Sequence, residues 1–333
     1  MRLILIFMIV LFGKPSFALD REHIVENHIF PRYKELAISV VSLSDAAAND
    51  CMAESEDLRA AYHQALDAWI GVSHLRFGPS EQDNRAFALA FWPDPRGKTP
   101  KVLARLLASS DPIGADQRAF NDMSIAARGF YALEFLLFDE MSRKAGTAEY
   151  LCILTQTVIN DIASNANAIY EDWLADYADA LITPSAEGVY RTDDEANQEL
   201  LKALATGLQF TSEARLGRPL GTFDRPRPKR AENWRSTRSA RNVNRSLTSL
   251  NELALMLSDE SPTLNAKFTA AFDRALSQLH DLNDTTFSSV SDPAGRLKVQ
   301  IVQTSVDSLR NLTNEELGPL LGVPIGFNAL DGD

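Results

Sequence analysis

Apolar residues recur at intervals of three and four along most of the chain, and no segment alternates apolar and polar positions over a strand's length. The clearest case lies between Asp57 and Arg76, where Leu58, Tyr62, Ala65, Trp69 and Val72 share one helical face, predicting a helix from about Ser55 to Leu75. The same spacing predicts helices from about Asp20 to Asn49, with Pro31 near a break or a first turn, and from Lys101 to Ala108, Ala115 to Ser142 and Ala148 to Ala180. In the second half it predicts helices from Asp194 to Leu216, Val243 to Leu257, Pro262 to Leu282 and Pro293 to Leu312. Gly217, with Pro219 two residues on, is expected to end the first of these sharply. The fold class is therefore all-α. The polar stretch after Thr183-Pro184 suggests two helical bundles, 19–190 and 191–333.

Two segments interrupt the helical pattern. Arg76-Phe77-Gly78-Pro79 and Phe91-Trp92-Pro93-Asp94-Pro95-Arg96-Gly97 cannot continue a helix and predict an irregular connection rich in aromatic side chains.

Charge sharpens the division. Residues 19–200 hold 30 acids and 15 bases, whereas 201–333 hold 15 acids and 16 bases. An acidic chain of this kind is not built for nucleic acid. Arg2, the apolar run from Leu3 to Phe12 and the exit Ser16-Phe17-Ala18 have the layout of an export signal cleaved after Ala18, which predicts a periplasmic protein with no membrane span after cleavage. In that compartment Cys51 and Cys152 either bridge a long loop or remain two buried thiols.

The candidate chemistry centres on the helix through Gly129-Phe130-Tyr131-Ala132-Leu133-Glu134. Ala127, Phe130, Glu134, Leu137 and Met141 would share one face, which sets a carboxylate in an apolar stripe, where it must find a partner or stay protonated. Tyr131, three residues earlier, projects beside it. The pair can act as two hard oxygen ligands for a metal such as iron, or as members of a polar seam bonded to Arg76 or to Ser236 and Ser239. The histidines give no ligand spacing: His23 and His28 do not share a face, and His63, His74 and His280 are isolated. Neither HExxH nor a GxSxG elbow occurs. From Arg225 to Arg245 eight cations face one acid, Glu232, which predicts docking against the acidic half or against an anionic ligand.

Gly129 to Glu134 resembles the GxHxxE motif of the imelysin family, with Tyr131 at the histidine position. Arg76 to Pro79, Phe91 to Gly97, the stretch Glu213 to Gly221, the set Glu232, Ser236, Ser239 and Asn244, and the ending Gly326-Phe327-Asn328 with Asp331-Gly332-Asp333 resemble further segments of that family. The resemblance implies two helical bundles and a cleft between them lined by Arg76, Gly129, Tyr131, Glu134, Ser236, Ser239 and Asn244. It also implies a periplasmic role in iron or other metal uptake, with a metal or small anionic ligand and cell-envelope uptake proteins as partners. The family's other implied activity is that of a metallopeptidase; a third reading is an envelope interaction module whose metal site has decayed.

Overall fold

The computed structural model describes residues 19–323; the export signal with its cleavage point after Ala18, and the Gly326 to Asp333 ending, lie outside them. Among the described residues the chain is helical with no strand, which is the all-α class that the spacing predicts.

Helix α1 is Phe30–Asn49, entered through a short helix Arg21–Ile24 and a wide π-type turn Val25–Ile29. Pro31 stands in the first turn of α1, directly after the widened turn. Helix α2, Glu56–Val72, starts where the Ser55 side chain accepts from Leu58 N, and its predicted inward stripe is buried. Helices α3 (Lys98–Ser109), α4 (Gly129–Phe138) and α5 (Ala148–Asp172) complete the first half. Helix α5 continues through a second wide turn, Trp173–Tyr177, into Ala178–Ile182.

The single helix expected from Ala115 to Ser142 is not formed. It is divided into Gln117–Asn121, a 3-10 turn Ile125–Ala127, α4 and Glu140–Arg143. The side chains of Asp116, Ser124 and Asp139 each accept from backbone N–H groups two or three residues on, so each starts a new turn. Arg128 is extended and Gly129 has φ +76°, so no helix can pass through them. Met141 accordingly leaves the expected face and is 78% exposed.

In the second half α6 is Asp193–Phe210, α7 Ser239–Leu257, α8 Pro262–His280 and α9 Pro293–Leu312. Gly217 does not stop the chain. Helix α6 runs on through a wide turn Thr211–Leu216 and a last turn Gly217–Leu220, and the chain leaves at Gly221, where φ is +56°.

Helix α1 packs against α2 and α5, and α4 against α3 and α5; α6, α7, α8 and α9 pack on one another. Helix α2 also packs on α7, so one continuous apolar core runs through both halves. Cys51, between α1 and α2, is bonded to Cys152 in α5, resolving the two cysteine alternatives in favour of the bridge. Four cations of the basic run reach acids of the first half: Arg235 to Asp139 (2.9 Å), Arg238 and Arg241 (2.7 Å) to Asp67, and Arg245 to Glu35 (3.2 Å). In the opposite direction Arg32 pairs with Glu252 at 2.5 Å and Arg21 with Asp193.

Candidate functional site

Helix α4 begins against the connection after the Arg76-Phe77-Gly78-Pro79 segment. A Cβ on Gly129 would lie 2.2 Å from the Leu89 carbonyl oxygen and 2.3 Å from that of Ala88, so only glycine lets the helix start this close. The approach turns Tyr131 and Glu134 toward the second half. There the turn 231–238, with positive φ at Asn233 (48°) and Thr237 (59°), inserts Glu232 and Ser236 between the halves.

Two linked arrangements result. Tyr131 donates its phenol hydrogen to Glu232 Oε1 (2.5 Å), while Arg215 Nε (2.8 Å) and Asn242 Nδ2 (3.0 Å) donate to Glu232 Oε2. The guanidinium of Arg215 is held further by Thr211 and Ser246 hydroxyls and by Ser73 of the first half, each at 3.2 or 3.3 Å. Asn242 also donates to Asn233 (2.9 Å), which donates to the Tyr62 hydroxyl (3.2 Å). Glu134, 3% exposed, accepts at Oε1 from both the backbone N–H (3.0 Å) and the hydroxyl (2.8 Å) of Ser236.

The electrostatics follow from burial. Arg215 and Glu232 side chains are 3% and 1% exposed, so each supplies the counter-charge without which the other could not be buried ionised. Burial pushes the Tyr131 phenol well above its ordinary range, and the Glu232 carboxylate adds to the shift, so the phenol keeps its proton. Burial also raises Glu134, against the opposing pull of its Ser236 hydrogen bonds.

A cleft of about 450 Å³ opens beside this network. Its walls come from both halves: Trp69, Ser73, His74 and Arg76, the aromatic groups Phe87 and Trp92, and Tyr131 on one side; Glu199, Lys202, Phe210 and Arg215 on the other. Its wall residue His74 shares a hydrogen bond between Nε2 atoms at 2.9 Å with the buried His28, far away in the chain. Burial, with the charges of Arg32 and Arg215, holds His74 down to about 3, and burial also lowers His28, so both rings are neutral. His74 is therefore not the isolated histidine that its sequence position suggests.

Of the residues singled out in the sequence, Arg76 and Tyr131 line the cleft. Gly129, Glu134 and Ser236 lie behind it in the seam between halves, and Ser239 is buried with a hydroxyl that lacks a partner among the described residues. Asn244 is exposed on the outer face of α7 and Asn242, two residues earlier, occupies the buried face; this corrects the asparagine chosen from the sequence. Arg215 went unassigned, although the spacing Leu204, Leu208, Thr211, Arg215 places it on the core stripe of its helix. Asn242, Ser246 and Ser249 repeat that signal on α7.

The expectation that Tyr131 and Glu134 act together as metal ligands does not fit these donors. The phenol retains its proton and gives it to Glu232, Glu134 is engaged by Ser236, and a guanidinium already supplies the positive charge at Glu232. Among the described residues no group of three or more His, Cys, Asp or Glu side chains converges as metal ligands do.

The chain's relatives agree with the fold. The family model for imelysin matches residues 29–313. Iron-regulated protein A of Synechococcus elongatus is 24% identical over 323 residues, covering 89% of this chain and 85% of that protein. An imelysin-like protein from Psychrobacter arcticum superposes with a TM-score of 0.71 at 18% identity, covering 92% of this chain and 96% of that one. An iron-regulated protein A precursor from Parabacteroides distasonis superposes with a TM-score of 0.74 at 14% identity, covering 91% and 96%. With a family model spanning residues 29–313, most of its length, the chain belongs to the imelysin family.

Proposed function

We propose that this protein is a non-catalytic binding component of iron-related uptake, exported to the periplasm, which holds an organic ligand between an N-terminal half (19–190) and a C-terminal half (191–333). The observation that carries the reading is that Tyr131 and Arg215 both line the cleft and both bond Glu232, so a ligand there touches the groups that fasten the halves together. The iron connection rests on the relative in Synechococcus elongatus, iron-regulated protein A. Arg76, Tyr131 and Arg215 are the proposed ligand contacts, while Glu134, Ser236 and Ser239 act behind them. A metallopeptidase of the imelysin type would need about three protein ligands and an open coordination position, and the donors around Tyr131 are committed to one another.

The test is made in the host bacterium with the gene deleted, under iron limitation. The wild-type chain restores growth; Thr206→Trp, which fills the cleft from its α6 wall, accumulates in the periplasmic fraction to the same level without restoring it. Equal growth with the filled cleft overturns the reading. A mature N-terminus at Leu19 is expected in that fraction.

A further inference from the structure

Resting on that reading, we propose that the cleft takes a flat aromatic acid, its rings against Trp92, Phe87 and Phe210 and its carboxylate at Lys202. The walls supply the apolar part. Trp92 stacks on Tyr131 with ring centres 6.0 Å apart and meets Phe210 edge-on at 5.8 Å, so three aromatic rings stand together on the cleft wall. Phe87 is 44% exposed with the Arg76 guanidinium 4.7 Å from its ring centre. Aromatic rings gathered on a concave wall favour a planar guest, which can touch several of them at once.

Charge selects the sign of the guest. Three charged wall residues are already matched from outside the cleft: Arg76 by Glu81 (2.6 Å), Arg215 by Glu232 (2.8 Å) and Glu213 by Arg310 (3.1 Å). Lys202 and Glu199 remain, three apart on α6, and among the described residues neither is in an ion pair. Arg218, its guanidinium over the Trp92 ring and its Nε without a partner, is likewise in no ion pair among the described residues, so two unmatched cations stand against one unmatched acid and the site calls for an anion. A cationic guest would instead meet the Lys202 ammonium and the Arg218 guanidinium, 5.8 Å from the Trp92 ring centre, with Glu199 alone to balance them.

The experiment is calorimetric titration of the purified full chain with 2-naphthoate, 2-naphthylmethanol, 2-naphthylmethylammonium and decanoate. Naphthoate is expected to bind about tenfold more tightly than the alcohol, the ion-pair contribution of roughly one decade in affinity, and the ammonium more weakly than either. Lys202→Gln should erase the preference for naphthoate over the alcohol while leaving alcohol binding in place, and Phe87→Ala should weaken all three aromatic compounds. Circular dichroism confirms that both variants fold. Binding of the ammonium or of decanoate at least as tight as that of naphthoate, an unchanged preference in Lys202→Gln, or no binding by any compound overturns the proposal. If Thr206→Trp still fails to restore growth while these titrations fail, the uptake reading stands and the aromatic acid alone is discarded.

Discussion

Glu232 is the residue at which the two halves exchange charge and hydrogen bonds, since one carboxylate oxygen takes the phenol of Tyr131 and the other takes Arg215 and Asn242. Replacing it with Gln leaves the Arg215 guanidinium buried without a counter-charge, and a loss of about 3–5 kcal/mol in urea unfolding is expected. Tyr131→Phe removes a single donated hydrogen bond and should cost about 1–3 kcal/mol. Because both changes act on the same carboxylate, the double variant should lose less than the sum. Glu134 makes a prediction of opposite sign. Its folded-state pKa lies above the ordinary 4.5, so the folded protein holds this proton more tightly than the unfolded chain does. The wild type should therefore lose stability as pH rises from about the unfolded value through the raised one, a decline that Glu134→Gln lacks. Urea unfolding of both proteins between acid and neutral pH should show the Gln variant gaining on the wild type as pH increases, and a Gln variant that loses ground to the wild type over that range would refute the assignment.

At the scale of elements, helix α4 illustrates what periodicity misses. Its apolar composition marks it as a buried helix, yet its start is decided by Gly129 against the carbonyls of Ala88 and Leu89, a contact with a segment forty residues earlier. Gly129→Ala combines the left-handed backbone with that collision, and the variant should lose more than about 3 kcal/mol or fail to accumulate folded, as read by thermal unfolding. The wide turn Thr211–Leu216 is a second case. It carries Thr211 and Arg215 on the buried side of the helix, where Leu208 and Leu204 lie one and two turns before Thr211, so the polar pair was legible as an interruption of a core stripe. That the chain would pass Gly217 as helix was not legible, because a glycine followed by proline is the usual mark of an ending and only the packing of this turn against α9 carries it further.

For the whole molecule, the acidic first half meets the basic run of the second as their compositions suggest: Arg235, Arg238, Arg241 and Arg245 reach Asp139, Asp67 and Glu35. The exposed pair Arg245–Glu35 contributes little singly, the pairs Arg238–Asp67 and Arg235–Asp139 are largely covered, and their consistent sign fixes which faces meet. The Cys51–Cys152 bridge closes a span of 101 residues within the first half, so reducing it, or replacing both cysteines with serine, should lower unfolding stability by about 4–5 kcal/mol in the chain-entropy model. A change under one tenth of that would show that the loop is already closed by packing. Helix class, the inward stripes and the charge asymmetry were determined by the sequence alone, because each depends on residue types at short spacing. The partners of Glu134, the choice of Asn242 over Asn244, the Arg215–Glu232 pair, the His28–His74 contact and the cleft itself were decided by tertiary structure. Each joins residues distant in the chain, and a buried polar group read from sequence says only that it needs a partner, while the fold chooses which one.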